Sequence, residues 1–503
     1  LVLRHPDPVE VQVAAGAFAS ICEEMGAALI RSAHSANIKE RRDCSAAIFD
    51  SSGEMVMQAE HIPVHLGSMP ASVAAVIERE HRPGVSWFLN DPYAGGTHLP
   101  DITVVTPAFD DHGVLIGFAA NRAHHADVGG PFPGSMPADS RLLSDEGVVI
   151  SPRVLDDEAI SEVTASMRQP DQRRADLRAQ LAANRLGTIR LGDLTRRRGG
   201  DWLERSMNAV ISYAEERTRA CIRGIEDGVY RASDVLEARE GELMLQLEAT
   251  VEGDRISFDF SGSSGPDPGN LNCPIAVTRS ACYFAVRVLT DPDIPASAGA
   301  YRPVDVRAPA GTLLNARPPS AVVAGNVETS SRVADLCFEA FGLACGQGTM
   351  NNLTLGTDEF TYYETLGGGQ GASPGADGPS AVHVAMSNTL NTPIEAMEIE
   401  FPFIAREYSM RRGSGGSGVH RGGDGVVREI EALEPMTFAL LTERRLNRPP
   451  GAAGGRSGDP GRNLLARSGD SVWRELEPKV SGRLEAGDRL RIETPGGGGW
   501  GDA

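Results

Sequence analysis

Residues 102–125 read ITVVTPAFDDHGVLIGFAANRAHH, two apolar, β-prone runs on either side of Asp110-Asp111-His112-Gly113. This is the signature of an antiparallel hairpin, and no other feature constrains the chain as strongly, because a hairpin fixes which residues share an end. With Phe109 facing Val114, paired residue numbers sum to about 223. His98 then lies opposite His125 and Asp101 opposite Arg122, with His124 one step away. The preceding stretch, DPYAGGTHLPD, and the following one, NRAHHADVGG, therefore bring their polar residues to one end of the hairpin.

The same grammar recurs at CSAAIFDSSGEMVMQAEH, where a turn at Asp50–Gly53 places Asp43 near Glu60 and His61. If the two hairpins adjoin, Asp43, His61, His98, Asp101, His124 and His125 converge. Before them, DPVEVQVAAGAFASICEEMGAALIRSA predicts a long packing helix with Asp7 as N-cap, Pro8 at the first helical position and Glu10 in capping-box register. Helical spacing returns between about Asp171 and Ile225. A further hairpin turns at Glu252-Gly253-Asp254. The second half is rich in glycine, as in YYETLGGGQG, RRGSGGSGVHRGGDG and TPGGGGWGDA. Apolar runs such as MTFALLTE interrupt it, which predicts loops around a β-rich body and not a disordered tail. The expected fold class is α+β, with a β-rich N-terminal domain over 1–170 carrying a metal site, a helical segment over 171–235 and a glycine-rich β domain over 236–503.

Composition narrows the function. Lys plus Arg number 48 against 68 Asp plus Glu, a formal charge of −20, which argues against a nucleic-acid or anionic-membrane surface. Lysine occurs only at Lys39 and Lys479, so a Gly-Lys-Ser/Thr phosphate loop is excluded and Schiff-base chemistry has little room. Seven cysteines without a CxxC pair make a poor disulfide framework, and none has an evident histidine partner. No run of about 18 apolar residues and no basic-then-apolar leader is evident. Together these predict a cytoplasmic protein that does not enter membranes.

Imidazole and carboxylate ligands without thiolate suit a catalytic divalent ion such as zinc, manganese or iron, with a coordination position left for water or substrate. Each such residue alone reads equally as a turn or strand-end group bonded to backbone; their convergence favours the metal. His61 and His65, in EHIPVHLGSMP, read as well as pocket or turn residues. Glu364, before a glycine loop, reads either as a general base or as a strand-end carboxylate. Arg411, Arg412 and Arg421 offer positive charge that could hold an anion, or serve no specific role. No GxSxG nucleophile elbow occurs.

Many ordered motifs, among them HIPVHLGSMP, NDPYAGGTHLPDITVVTP, NRAHHADVGG, GNVETSSRVADL and HVAMSNTLNTPIEAMEIEFP, resemble the hydantoinase B/oxoprolinase family over nearly the whole chain. The family includes subunits of N-methylhydantoin hydrolases, a region of 5-oxoprolinase and the large subunits of acetone and acetophenone carboxylases. The resemblance implies a B-type subunit of a hetero-oligomer whose A-type partner binds ATP and phosphorylates a cyclic amide. The B-type chain then completes ring-opening hydrolysis, through water activated by a divalent ion. It implies metal ligands at Asp43, His98, Asp101 and His124, with the adjacent His125 able to exchange roles with His124; motif position alone makes His125 or Glu364 a candidate catalytic proton carrier. A ketone carboxylase subunit and a non-catalytic scaffold for the A-type partner are the competing readings.

Overall fold

The computed structural model describes residues 7–60 and 62–502. His61 lies outside the described residues. The fold is α+β, with four sheets among the described residues. The first contains β1 (Cys44–Phe49), β2 (Met55–Glu60), β3 (Trp87–Leu89), β4 (Asp101–Phe109), β5 (Leu115–His124) and β6 (Arg153–Val154), in the order β2-β1-β5-β4-β3-β6. The second contains β7 (Gly228–Ala238), β8 (Gly241–Glu252), β9 (Arg255–Asp259) and β10 (Val304–Arg307), in the order β10-β9-β8-β7. The rest of the strands are β11 (Asn352–Gly356), β12 (Thr361–Glu364), β13 (Phe403–Arg411), β14 (Gly425–Ala432), β15 (Met436–Leu441), β16 (Arg462–Ala466), β17 (Arg474–Leu476), β18 (Lys479–Leu484) and β19 (Arg489–Glu493). They form two sheets, ordered β12-β11-β15-β18 and β13-β14-β19-β16-β17.

Both N-terminal hairpins form, and they adjoin through antiparallel pairing of β1 with β5. Their register differs from the simple expectation. Phe109 faces Leu115, but Ala108 faces Gly117, so Ile116 is an extra residue and the pairing sum rises to 225 for the rest of the hairpin. Such a bulge is tolerated because Gly117 adopts φ 151°, and a Cβ there would sit 2.4 Å from the Phe49 carbonyl oxygen. Asp101 therefore stands opposite His124, not Arg122, while Thr103 takes Arg122. A shift of two preserves the face, so the polar residues still point together.

The helix Pro8–Ser32 begins as expected, with the Asp7 carboxylate accepting from the Val9 amide at 3.0 Å. Its apolar character exceeds the expectation that no segment could span a bilayer, since an 18-residue window averages a hydropathy of 1.5. In the fold one stripe, Val11, Ala14, Phe18, Ile21, Cys22 and Met25, packs into a core with Ala46, Ile48 and Ala119 of the first sheet. Helices Pro170–Arg198 and Gly200–Ile222 follow, and the chain re-enters strand at Gly228. The longer helix is tied to the first sheet by side-chain amides. Gln180 donates to the Ile102 carbonyl at 2.8 Å, Asn184 to the Val104 carbonyl at 2.9 Å, and Asn121 to the Gln180 carbonyl at 2.7 Å. The largest core draws on residues from Ile62 to Leu441 and so joins the halves of the chain.

The glycine stretches of the second half pack backbone on backbone. A Cβ on Gly423 would lie 1.9 Å from the Pro379 carbonyl oxygen, and one on Gly497 would lie 2.0 Å from that of Gln370. They are close-packed layers beside the sheets.

Candidate functional site

The β4–β5 hairpin end supplies the centre of the site. His98 sits one turn before β4, where its carbonyl accepts from the Asp101 amide at 3.1 Å. From there His98 Nε2 lies 3.4 Å from Asp101 Oδ2, and His124 Nδ1 lies 3.4 Å from Asp101 Oδ1. The two imidazole nitrogens are 3.2 Å apart. Asp43, just before β1, is carried alongside because its carbonyl accepts from the His124 amide at 3.0 Å; its Oδ2 is 3.9 Å from His124 Nδ1.

His65, which the sequence left between pocket and turn, joins them. It ends the short 3-10 turn Pro63–His65, with Nδ1 held by Ser45 Oγ at 2.8 Å and Nε2 3.6 Å from Asp101 Oδ2. Its signal was its place in HIPVH, and only the fold brings that turn over β1. All five side chains are buried. Ligand-type atoms of His98, Asp101 and His124 lie within 4.8 Å of one another, as do those of Asp43, His65 and Asp101.

Electrostatics fit a cation at this point. Burial works to raise the Asp101 carboxyl, but the imidazoles of His98, His124 and His65 beside it hold it well below its ordinary range. Burial lowers His124, against the pull of Asp101 and Asp43, and so favours a neutral ring with a free lone pair. Neither carboxylate has an arginine or lysine within ion-pair distance among the described residues; Thr97 Oγ1 donates to Asp101 at 2.5 Å. Two buried carboxylates without such a partner are costly unless a cation joins them. His65 Nε2, His98 Nδ1, His124 Nε2 and Asp101 Oδ1 are buried without hydrogen-bond partners. The residues thus fit a divalent ion with nitrogen and oxygen ligands. Cys44 is not among the groups of ligand atoms that converge here; burial and the neighbouring Asp43 push its thiol far up.

The same pocket is lined by Tyr363, Thr365, Ser387, Thr389 and Asn326. Tyr363 stacks flat on His124, with Arg41 over its other face at 4.6 Å. His125 and Glu364 are not brought to this pocket. His125 turns to the opposite face of the sheet, where Nε2 pairs with Gln180 Oε1 at 2.9 Å and burial lowers it to about 4. Alternation along β12 sends Tyr363 to the pocket and Glu364 the other way, to 3.5 Å from Arg428. Arg411 is spent on the carbonyls of Pro460 and Thr494 and Arg421 on Asp424, so they do not converge on an anion site.

Residues 7–503 match the family described as Hydantoinase B/oxoprolinase. The chain belongs to this family. It is 40% identical to 5-oxoprolinase 1 of Arabidopsis thaliana over 98% of its own length, but spans only 42% of that relative. The ATP-dependent caprolactamase from Pseudomonas jessenii superposes with a TM-score of 0.93 at 26% identity, covering 99% of this chain and 92% of that one. The nucleotide-free acetone carboxylase structure shares the fold, with a TM-score of 0.88 at 17% identity over 99% of this chain and 76% of the other.

Proposed function

We propose that this chain is the ring-opening half of an ATP-dependent cyclic-amide hydrolase, acting on 5-oxoproline, a hydantoin or a related lactam after an A-type partner has phosphorylated it. The observation that carries this reading is the buried convergence of three imidazoles and two carboxylates in a family whose members include a 5-oxoprolinase and whose fold is that of a caprolactamase.

Asp43, His98, Asp101 and His124 hold a divalent ion in this reading, with His65 as a further ligand or as the group that orients Asp101. Bound there, the ion supplies Lewis acidity toward a substrate or water oxygen. The chain's own residues do the rest. Phosphorylation makes the amide oxygen a leaving group, and the closed pocket excludes bulk water while Asp101 and Asp43 fix the imidazoles. ATP belongs to the partner in this scheme, since the chain lacks a lysine-bearing phosphate loop and covers under half of the 5-oxoprolinase it resembles. Seven cysteines with no disulfide among the described residues fit a reducing, cytoplasmic setting.

Elemental analysis of the purified protein beside His98→Ala and Asp101→Ala, each checked by circular dichroism, tests the reading. About one divalent ion in the wild type and little in the folded variants is expected. Equal or absent metal in all three overturns it.

A further inference from the structure

Arg41, two residues before Asp43, is a fully buried cation whose hydrogen bonds all go to neutral oxygens. Nη1 donates to the Tyr363 carbonyl at 3.1 Å, and Nη2 to Thr365 Oγ1 at 3.0 Å and Thr389 Oγ1 at 3.3 Å. Nε is buried with no hydrogen-bond partner, and no carboxylate lies within ion-pair distance of the guanidinium among the described residues. The face of Tyr363, 4.6 Å away, offsets part of the cost of burying this charge. An anion close by would offset the rest.

The hydroxyls in front of Arg41 show where that anion goes. Strand alternation gives Thr365 the same face as Tyr363. Thr389 is brought beside it by the segment before the helix Ile394–Glu400, where the Leu390 amide donates to the Arg41 carbonyl at 3.0 Å and Asn391 Nδ2 to the Thr365 carbonyl at 2.8 Å. The two Oγ1 atoms are 2.6 Å apart. Each accepts from Arg41, and the pair shares one of its two hydrogens, so the other hydrogen has no acceptor among the described residues. Ser387 adds a third hydroxyl, its Oγ 2.7 Å from His383 Nδ1. All three hydroxyl side chains are buried and line the pocket that holds the imidazoles and carboxylates of the candidate metal site.

We infer that Thr365, Thr389 and Ser387, backed by Arg41, seat the phosphoryl group of the activated substrate. Hydroxyls polarised by a guanidinium donate outward and carry its charge to the pocket, which suits the oxygens of a phosphoryl group. Arg41 acts through them as a positioning residue. An amide that has not been phosphorylated offers this wall no negative charge, so the pocket favours the activated species over its precursor. The inference rests on the reading above, in which the substrate arrives phosphorylated, and assigns a place to the group that the partner adds.

The test titrates inorganic phosphate, with acetate as the planar comparison, into the zinc-loaded full chain freed of excess ion, by calorimetry at fixed ionic strength. The wild type binds phosphate in preference to acetate. Thr365→Val and Thr389→Val each weaken phosphate binding by about ten- to a hundredfold at unchanged metal content, the amount for one hydrogen bond to a charged group. Thr389→Ser, which keeps the hydroxyl, retains most of the affinity. Arg41→Met loses affinity too, and Arg41→Lys, which restores the charge, recovers part of it. Ser387→Ala reads the same wall if a valine variant fails to fold. No phosphate binding by the wild type, a preference for acetate, or equal phosphate affinity in the wild type and the folded hydroxyl variants overturns the inference. Metal is measured on the same samples, so a chain without metal, which defeats the reading above, is distinguishable from a chain whose hydroxyl wall contributes nothing.

Discussion

Tyr363 lies parallel to His124, with ring centroids 4.6 Å apart and planes inclined by 6°. Its hydroxyl donates to Asn352 Oδ1 at 2.7 Å, and Asn352 Nδ2 donates to Glu328 Oε1 at 2.9 Å. A buried carboxyl thus reaches His124 through one amide and one aromatic plate, and the plate fixes the imidazole's tilt.

Tyr363→Ala is therefore expected to weaken divalent-ion binding by about ten- to a hundredfold, the usual cost of losing a group that orients a ligand. Tyr363→Phe keeps the stack and should lose less. A competition titration against a chelating dye reads both; equal loss in the two variants would assign the effect to the hydroxyl instead of the stack.

Arg122 is fully buried and donates to Thr103 Oγ1 at 2.7 Å, Ser72 Oγ at 2.7 Å, the Gly95 carbonyl at 3.1 Å and Ser68 Oγ. It pins the helix Ser68–Ile77 and the glycine turn before His98 to β5. Arg122→Met is expected to cost about 3 kcal/mol, because several buried acceptors lose their donor together. Chemical denaturation measures this, and a loss below about 1 kcal/mol contradicts the pinning role.

The first of these residues could be placed from sequence only as a member of a motif, and the second only as a strand residue facing Asp101. The hairpins were legible because turn chemistry and alternation are local. The bulge at Ile116 was not, since it depends on Gly117 meeting a neighbouring strand; with Phe109 facing Leu115 in place of Val114, it moved His124 into the place assigned to Arg122. His65 stayed undecided between pocket and turn, and Asn326 was invisible as a site residue, for the same reason. They come from turns 26 or more residues from the hairpin's own polar groups, and tertiary packing alone aims them. Glu364 and His125 show the converse, motif residues that strand alternation turns to the far side.

His383 donates to or accepts from Ser387 Oγ at 2.7 Å, and burial, aided by Arg41, lowers it to about 4. A histidine lowered on folding binds its proton more weakly in the native state. Its contribution is thus complete above about pH 6.5 and is lost as pH falls toward 4. His383→Asn should flatten the acid limb of stability between those values, by at most about 3 kcal/mol. Thermal melts from pH 7 to pH 4 check this, and parallel acid limbs would show that other groups govern it.

Gly325→Ala is expected to displace the turn bearing Asn326, since its methyl cannot coexist with the Asn272 carbonyl at 1.8 Å. A stability loss of about 3 kcal/mol or failure to fold is anticipated. A thermal shift of under about 2 °C would mean that the neighbouring loop yields.

The layered glycines of the second half bear on how such a chain can change over time. Where Gly423 meets Pro379 and Gly497 meets Gln370, no larger residue fits without parting two backbones, so these positions admit no gradual drift. Variation must then collect elsewhere, and a saturation scan should return two textures: permissive exposed helical faces and a rigid seam of intolerance. Libraries that seek new substrates in this scaffold are best directed away from that seam.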